Sequence, residues 1–224
     1  MKKKTIIIVS IIVLLLVIGL IVFFALRKDD NENTEPQEVL NPVEDSKTIK
    51  IYNKLKDSDK YQFTRKVDDD NQVIISKSGD RAYEEETFNG KKTYYIVSEG
   101  DLYLLNKNTQ RYYKYQNNDE ILQEIVNAFS EIEGTTYTDG KENINGQEYG
   151  YEQFRGIQGF LIDSNLYTDN ITEAYTRFYY SGNNLKYIKT IAGDKEELLE
   201  IDIDYDVDDS LFEIPEGYSD GDNL

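Results

Sequence analysis

The residues whose spacing carries the most chemistry lie near the C-terminus. Asp202, Asp204, Asp206, Asp208, Ser210 and Glu213 fall at positions 1, 3, 5, 7, 9 and 12 of an EF-hand calcium loop. Such a loop turns sharply at its sixth position, normally on glycine, and there this chain has the β-branched Val207. The eighth position, normally apolar, is Asp209. The same acids alternate with Leu199, Ile201, Ile203, Tyr205 and Val207, the period of a half-buried strand with an acidic outer face. A strand accounts for them without a metal. The metal reading is loose calcium binding by Asp202, Asp204 and Asp206 along that face. Other carboxylate pairs, such as Glu84 and Glu86, carry little information in a chain with 43 acidic residues.

The 224 residues include no His and no Cys. That excludes imidazole and thiolate metal ligands, Cys nucleophiles, disulfides and the commonest general base. No G-x-S-x-G, S-x-x-K or P-loop spacing occurs. No enzymatic activity and no cofactor are expected. Tyrosine is the remaining signal, with 19 copies. Tyr83, Tyr94, Tyr95, Tyr103, Tyr112, Tyr113, Tyr115, Tyr179, Tyr180 and Tyr187 all lie in strand-like segments, and adjacent pairs put one ring on each face. The rings serve either cross-strand packing or an aromatic-lined concave surface for an apolar or glycan ligand.

The elements that position these residues follow a membrane signal. Residues 5–26 form an uncharged run of 22, which as a helix covers about 33 Å and spans a bilayer core. It is longer than a signal-peptide core and lacks an A-x-A-like cleavage site, so it reads as an uncleaved single-span anchor. Lys2, Lys3 and Lys4 precede it, against Arg27 and Lys28 after it, which favours a cytoplasmic N-terminus (1–4) and an extracellular C-terminal domain. Residues 29–224 hold 20 basic and 43 acidic residues, a net charge of −23, which repels nucleic acid and anionic headgroups. Residues 27–45 read as a disordered acidic stalk, 46–218 as one β-rich domain and 219–224 as a flexible tail. The expected location is the cell membrane.

Within the domain a helix is expected over Asp45–Leu55. Six strands follow, at 61–67, 72–77, 81–88, 92–98, 102–106 and 111–115. The helix Glu120–Ile132 carries one apolar stripe, and five more strands lie at 135–138, 147–154, 174–180, 185–191 and 198–207. Asn89-Gly90 and Asn145-Gly146 are hairpin signals. No βαβ alternation appears. The fold class is therefore an N-terminal transmembrane helix plus a mainly antiparallel β domain. That domain is an unclosed barrel or curved sheet of about eleven strands, with two or three helices on its concave face.

The layout of helix, six-strand meander, inserted helix and second meander, with the closing Leu211-Phe212-Glu213-Ile214-Pro215-Glu216-Gly217-Tyr218, resembles the bacterial lipoprotein-carrier superfamily. The resemblance implies an unclosed antiparallel barrel wrapped round a helical lid over an apolar cavity. The first functional reading is a membrane-anchored extracellular binding module for a lipid, lipoprotein or other apolar ligand. Its lid and mouth would be formed by Ile125, Phe129, Phe160, Leu161 and Ile162, and a glycine-hinged 156–167 segment would move to admit the ligand. The alternative is an envelope interaction or sensing protein with a filled core and no small ligand. The partners expected are the membrane and a lipid or envelope protein, with no nucleic acid.

Overall fold

The computed structural model describes residues 39–116, 120–162, 166 and 174–221. The expected membrane span, the N-terminal segment and most of the stalk lie outside these. Among the described residues no helix is long and apolar enough to cross a membrane. The chain divides after Val39, and every element below belongs to the unit Leu40–Leu224.

Alternating polarity and hairpin turns build one sheet. In chain order the elements are β1 (Asn41–Pro42), α1 (Lys47–Asp57), β2 (Lys60–Asp68), β3 (Asn71–Ser78), β4 (Arg81–Phe88), β5 (Lys91–Ser98), β6 (Asp101–Asn106) and β7 (Arg111–Gln116). Then come α2 (Glu120–Ser130), β8 (Thr136–Ile144), β9 (Gln147–Arg155), β10 (Ala174–Ser181), β11 (Asn184–Ala192), β12 (Lys195–Asp204) and β13 (Ser219–Asp220). The strands line up as β1-β8-β9-β10-β11-β12-β2-β3-β4-β5-β6-β7-β13, an unclosed 13-stranded sheet. All pairings in it are antiparallel except that of β13 with β7. The eleven long strands are those the sequence pattern marks out. Asn89-Gly90 and Asn145-Gly146 turn with positive φ at both residues, as a two-residue hairpin loop requires.

The folded unit is larger at both ends than 46–218. Asn41 and Pro42 pair with β8, and Val43 is buried within a one-turn 3-10 helix, so residues 41–45, expected as stalk, belong to the folded unit. Ser219 and Asp220 pair with β7 instead of fraying. Two α-helices are present among the described residues, with 3-10 turns at Val43–Asp45 and Asp209–Phe212.

Strand register assigns the faces. On the inner face lie Tyr61 and Phe63 of β2, Val73 and Ile75 of β3, Phe154 of β9, Phe178 and Tyr180 of β10, Ile188 of β11, and Leu199 and Ile201 of β12. Both helices pack against this set, α1 through Tyr52 and Leu55, α2 through Ile125, Ala128 and Phe129. The start of α1 is satisfied twice over. Ser46 Oγ accepts from Ile49 N at 2.9 Å, and the buried Glu152 carboxylate of β9 accepts from Lys47 N at 2.7 Å and Thr48 N at 2.9 Å.

Across β4–β7 the pattern reverses. Ala82, Val97 and Leu102 meet Leu122 and Ile121 of α2, but next to them the inner face carries Glu84, Glu86 and Tyr95. Here the large apolar residues Tyr83, Ile96 and Leu105 point outward, under Val207, Leu211 and Phe212 of the C-terminal segment.

Candidate ligand groove

Of the five residues expected to form a lid and mouth, Ile125, Phe129, Phe160 and Leu161 are buried in the interior and Ile162 lies at its margin. Phe129 and Phe160 are fully buried, and Ile125 is 1 % exposed. The Phe129 ring lies 4.7 Å from Phe160 edge-on, 5.9 Å from Phe178, 6.0 Å from Phe63 and 6.4 Å from Tyr52. Leu161 is buried too. Ile162 is half-buried and lines a shallow cavity of about 690 Å³ with Val67, Phe88, Leu166 and Leu198.

The 156–162 part of the expected moving segment is pinned. Glu131 accepts from Gln158 N at 2.9 Å and Gly159 N at 3.4 Å, Glu197 accepts from Ile162 N at 2.9 Å, and Thr176 Oγ1 donates to Ile157 O. Gly159 permits a close approach: a Cβ there would sit 2.7 Å from Glu131 Oε1 and 3.0 Å from Ala128 Cα. Residues 163–165 and 167 lie outside the described residues.

Of the candidate calcium ligands, Asp202 and Asp204 lie on a strand and Asp206 in the irregular segment just after it. Asp202 and Asp204 belong to β12 and pair with Thr64 and Gln62 of β2, while Asp204 accepts from Asp206 N at 2.9 Å. All three are exposed, and Leu199 and Ile201 between them and the core are buried. Among the described residues no three acidic side chains converge on a point that would hold a metal ion.

A groove of about 590 Å³ opens elsewhere, where α1 meets the β10–β11 turn and the end of β12. One wall is the face of α1 that bears Lys47, Lys50, Ile51 and Lys54, at helical spacings of three and four. The other is Asn183, Asn184, Leu185 and Lys186, and Asp202, Ile203 and Tyr205 complete the lining. The floor is thus apolar, of Ile51, Leu185, Ile203 and Tyr205, and the rim holds four lysines and one carboxylate. Lys54 Nζ stands 3.6 Å from the Tyr205 ring centre, a cation–π contact. Lys47 Nζ donates to Gly182 O at 2.7 Å and Lys50 Nζ to Asp45 O at 3.3 Å. Burial raises the Tyr205 hydroxyl above the ordinary phenol range, so the ring stays neutral.

Two features make this rim unusual. Among the described residues none of the four lysines is in an ion pair with a carboxylate, although acids outnumber bases by 43 to 25. And α1 has no acid in its first turn but carries Lys47 and Lys50 there, where the helix dipole disfavours cations. Sequence reasoning missed the groove. Its available signal was the 47, 50, 51, 54 stripe; Lys186 and Tyr205 join it only through the sheet.

No family model matches the chain, and no curated protein matches it significantly. The groove's own chemistry is therefore the basis for a functional reading.

Proposed function

We propose that the chain is a membrane-anchored extracellular interaction module. It binds an anionic ligand in the lysine-rimmed groove, and its sheet interior is filled by its own side chains. The anchor and its orientation rest on the uncharged 5–26 run and the lysines before it. The fully buried ring cluster around Phe129 supports a filled core over an interior ligand. The layout, an unclosed antiparallel sheet with both helices on one face, supports the resemblance to lipoprotein carriers in architecture. The observation that carries the binding reading is the cluster of four lysines that form no ion pair among the described residues, in a folded unit, 40–224, whose 20 basic and 38 acidic residues give a net charge of −18. The groove is a local reversal of that field, so an anion is drawn to it and away from the rest of the surface.

The test uses the full chain in nanodiscs of phosphatidylcholine. Inorganic phosphate should raise the unfolding temperature of the wild type more than that of Lys50→Gln/Lys54→Gln, and the difference should shrink with added sodium chloride. Equal shifts for both proteins would remove the groove as the site. Separately, protease added to intact cells should cleave the domain; full protection of the inserted protein would reverse the orientation.

A further inference from the structure

The groove's lysines say that its ligand is charged, and its floor says more. A site for a bare anion needs only donors, arranged around a polar hollow. Here the lysines stand along the upper edges, while Ile51, Leu185, Ile203 and Tyr205 lie between them. Ile51, Ile203 and Tyr205 are each half-buried, as is expected of apolar side chains that have no protein cover on one side. They pack on the main core, so the floor continues the interior outward instead of standing on it as an isolated patch. Lys47, Lys50 and Lys54 are exposed and Lys186 is half-buried, so the charged groups stand further into solvent than the floor, and lysine methylenes can add apolar surface beside it. Three of the ammonium heads are already steadied, Lys47 on the Gly182 carbonyl, Lys50 on the Asp45 carbonyl and Lys54 on the Tyr205 ring, and each retains N–H groups for a further acceptor.

We infer that the groove takes an anionic amphiphile, its phosphate or carboxylate head held by Lys47, Lys50, Lys54 and Lys186 and its apolar body laid on Ile51, Leu185, Ile203 and Tyr205. This rests on the anion-binding reading above and adds the apolar body to it. The 590 Å³ available suits a ligand of ordinary small-molecule size, or one chain of a larger lipid. Asp202 has a defined role in this arrangement. Among the described residues it is the only carboxylate that lines the groove, and it repels the head from the β12 wall, which leaves the α1 side as the place where the head rests and the β12 side for the body. Removing its charge therefore strengthens binding, the opposite of what a structural or metal-binding aspartate predicts.

The experiment compares three probes on the full chain in phosphatidylcholine nanodiscs by titration calorimetry, with empty discs as the blank. The probes are octyl phosphate below its micelle threshold, inorganic phosphate, and octyl glucoside, which has the chain without the charge. Octyl phosphate should bind at least tenfold tighter than either of the others, because it alone engages both parts of the site. Lys50→Gln/Lys54→Gln should weaken it tenfold or more, Ile51→Gln should weaken it several-fold without changing the affinity for inorganic phosphate, and Asp202→Asn should tighten it. These are exposed or half-exposed helix and strand positions, and circular dichroism checks that each variant folds. If octyl phosphate binds no tighter than inorganic phosphate, the amphiphile inference falls and the anion reading stands. If octyl glucoside matches octyl phosphate, the lysines are irrelevant and both fall. If no probe binds, both fall as well.

Discussion

The two halves of the sheet carry their largest apolar clusters on opposite faces. In the half made by β8–β12 with β2 and β3, the inner residues are aromatic and aliphatic and the helices cover them. In the half made by β4–β7, the inner face beside α2 carries Glu84, Glu86 and Tyr95, and it is the outer residues Tyr83, Ile96 and Leu105 that are covered, by the segment carrying Val207 and Phe212. Both halves have the same period of two, and that period says only that one face is buried. Which face it is depends on where the covering element comes from. Helices cover the inner face of the first half and, through Leu122 and Ile121, a corner of the second, whereas the chain's last residues cover the outer face of the second. The junction between them is polar: Arg65 of β2 is 8 % exposed, pairs with Glu124 of α2, and faces the Glu84 side of the inner surface.

The sharpest way to break the first half is Phe129→Ala. It removes the ring that touches Tyr52, Phe63, Phe160 and Phe178 and should cost about 4 kcal/mol in urea unfolding, with the loss spread over both helices. Phe212→Ala should cost less, about 3 kcal/mol at the low end for a buried phenylalanine. Its signature is local: faster hydrogen exchange in β4–β7 while β9–β12 stay protected. Exchange that rises equally in both halves would mean that the two faces form one cooperative core.

Glu84 sharpens the contrast through pH. Burial, with Glu124 and Glu86 beside it, pushes its carboxyl up to about 7, against the pull of Arg65. Its proton is thus held more tightly folded than unfolded. Stability is unaffected below the ordinary glutamate range, falls as pH rises from there to about 7, and is then flat. After allowance for solvent screening of a partly exposed group, Glu84→Gln should recover on the order of 2 kcal/mol at pH 8 and nothing at pH 4. Urea midpoints of the two proteins across that range check it; parallel curves would refute the assignment. The smallest effect belongs to Asp204→Ala, within about 0.5 kcal/mol, since its side chain points to solvent. A larger loss of stability on chelating calcium than on this substitution would reopen the metal reading.

The eleven long strands were legible because each repeats its polarity every two residues between turn residues that can be named. The ends were not. β1 and β13 are two residues each and exist only through partners distant in the chain, Thr136–Tyr137 and Arg111–Tyr112, so no local pattern marks them. The six-residue stripe of the 120–132 helix was visible, but a stripe looks the same on a docked helix as on a movable lid. The groove was half legible: Lys47, Lys50 and Lys54 share a helical face in the sequence itself, whereas Lys186, Ile203 and Tyr205 reach it only through the pairing of β11, β12 and β2.

The pairing of β12 with β2 has a consequence for synthesis. β2 is the first long strand to emerge and β12 the last, and they meet in the middle of the sheet from Gln62↔Asp204 to Lys66↔Glu200. Strands β2–β7 can zip up as successive local hairpins while the chain is being made. The free edge of β2, with Tyr61 and Phe63 beside it, must then wait for almost the whole domain before it gains its neighbour and its cover. During that interval the nascent chain offers an unpaired strand and an apolar face together, the combination that invites aggregation. Lys60 and Lys66 lie along this same strand, and charged side chains on a strand edge hinder its pairing with another copy until β12 arrives.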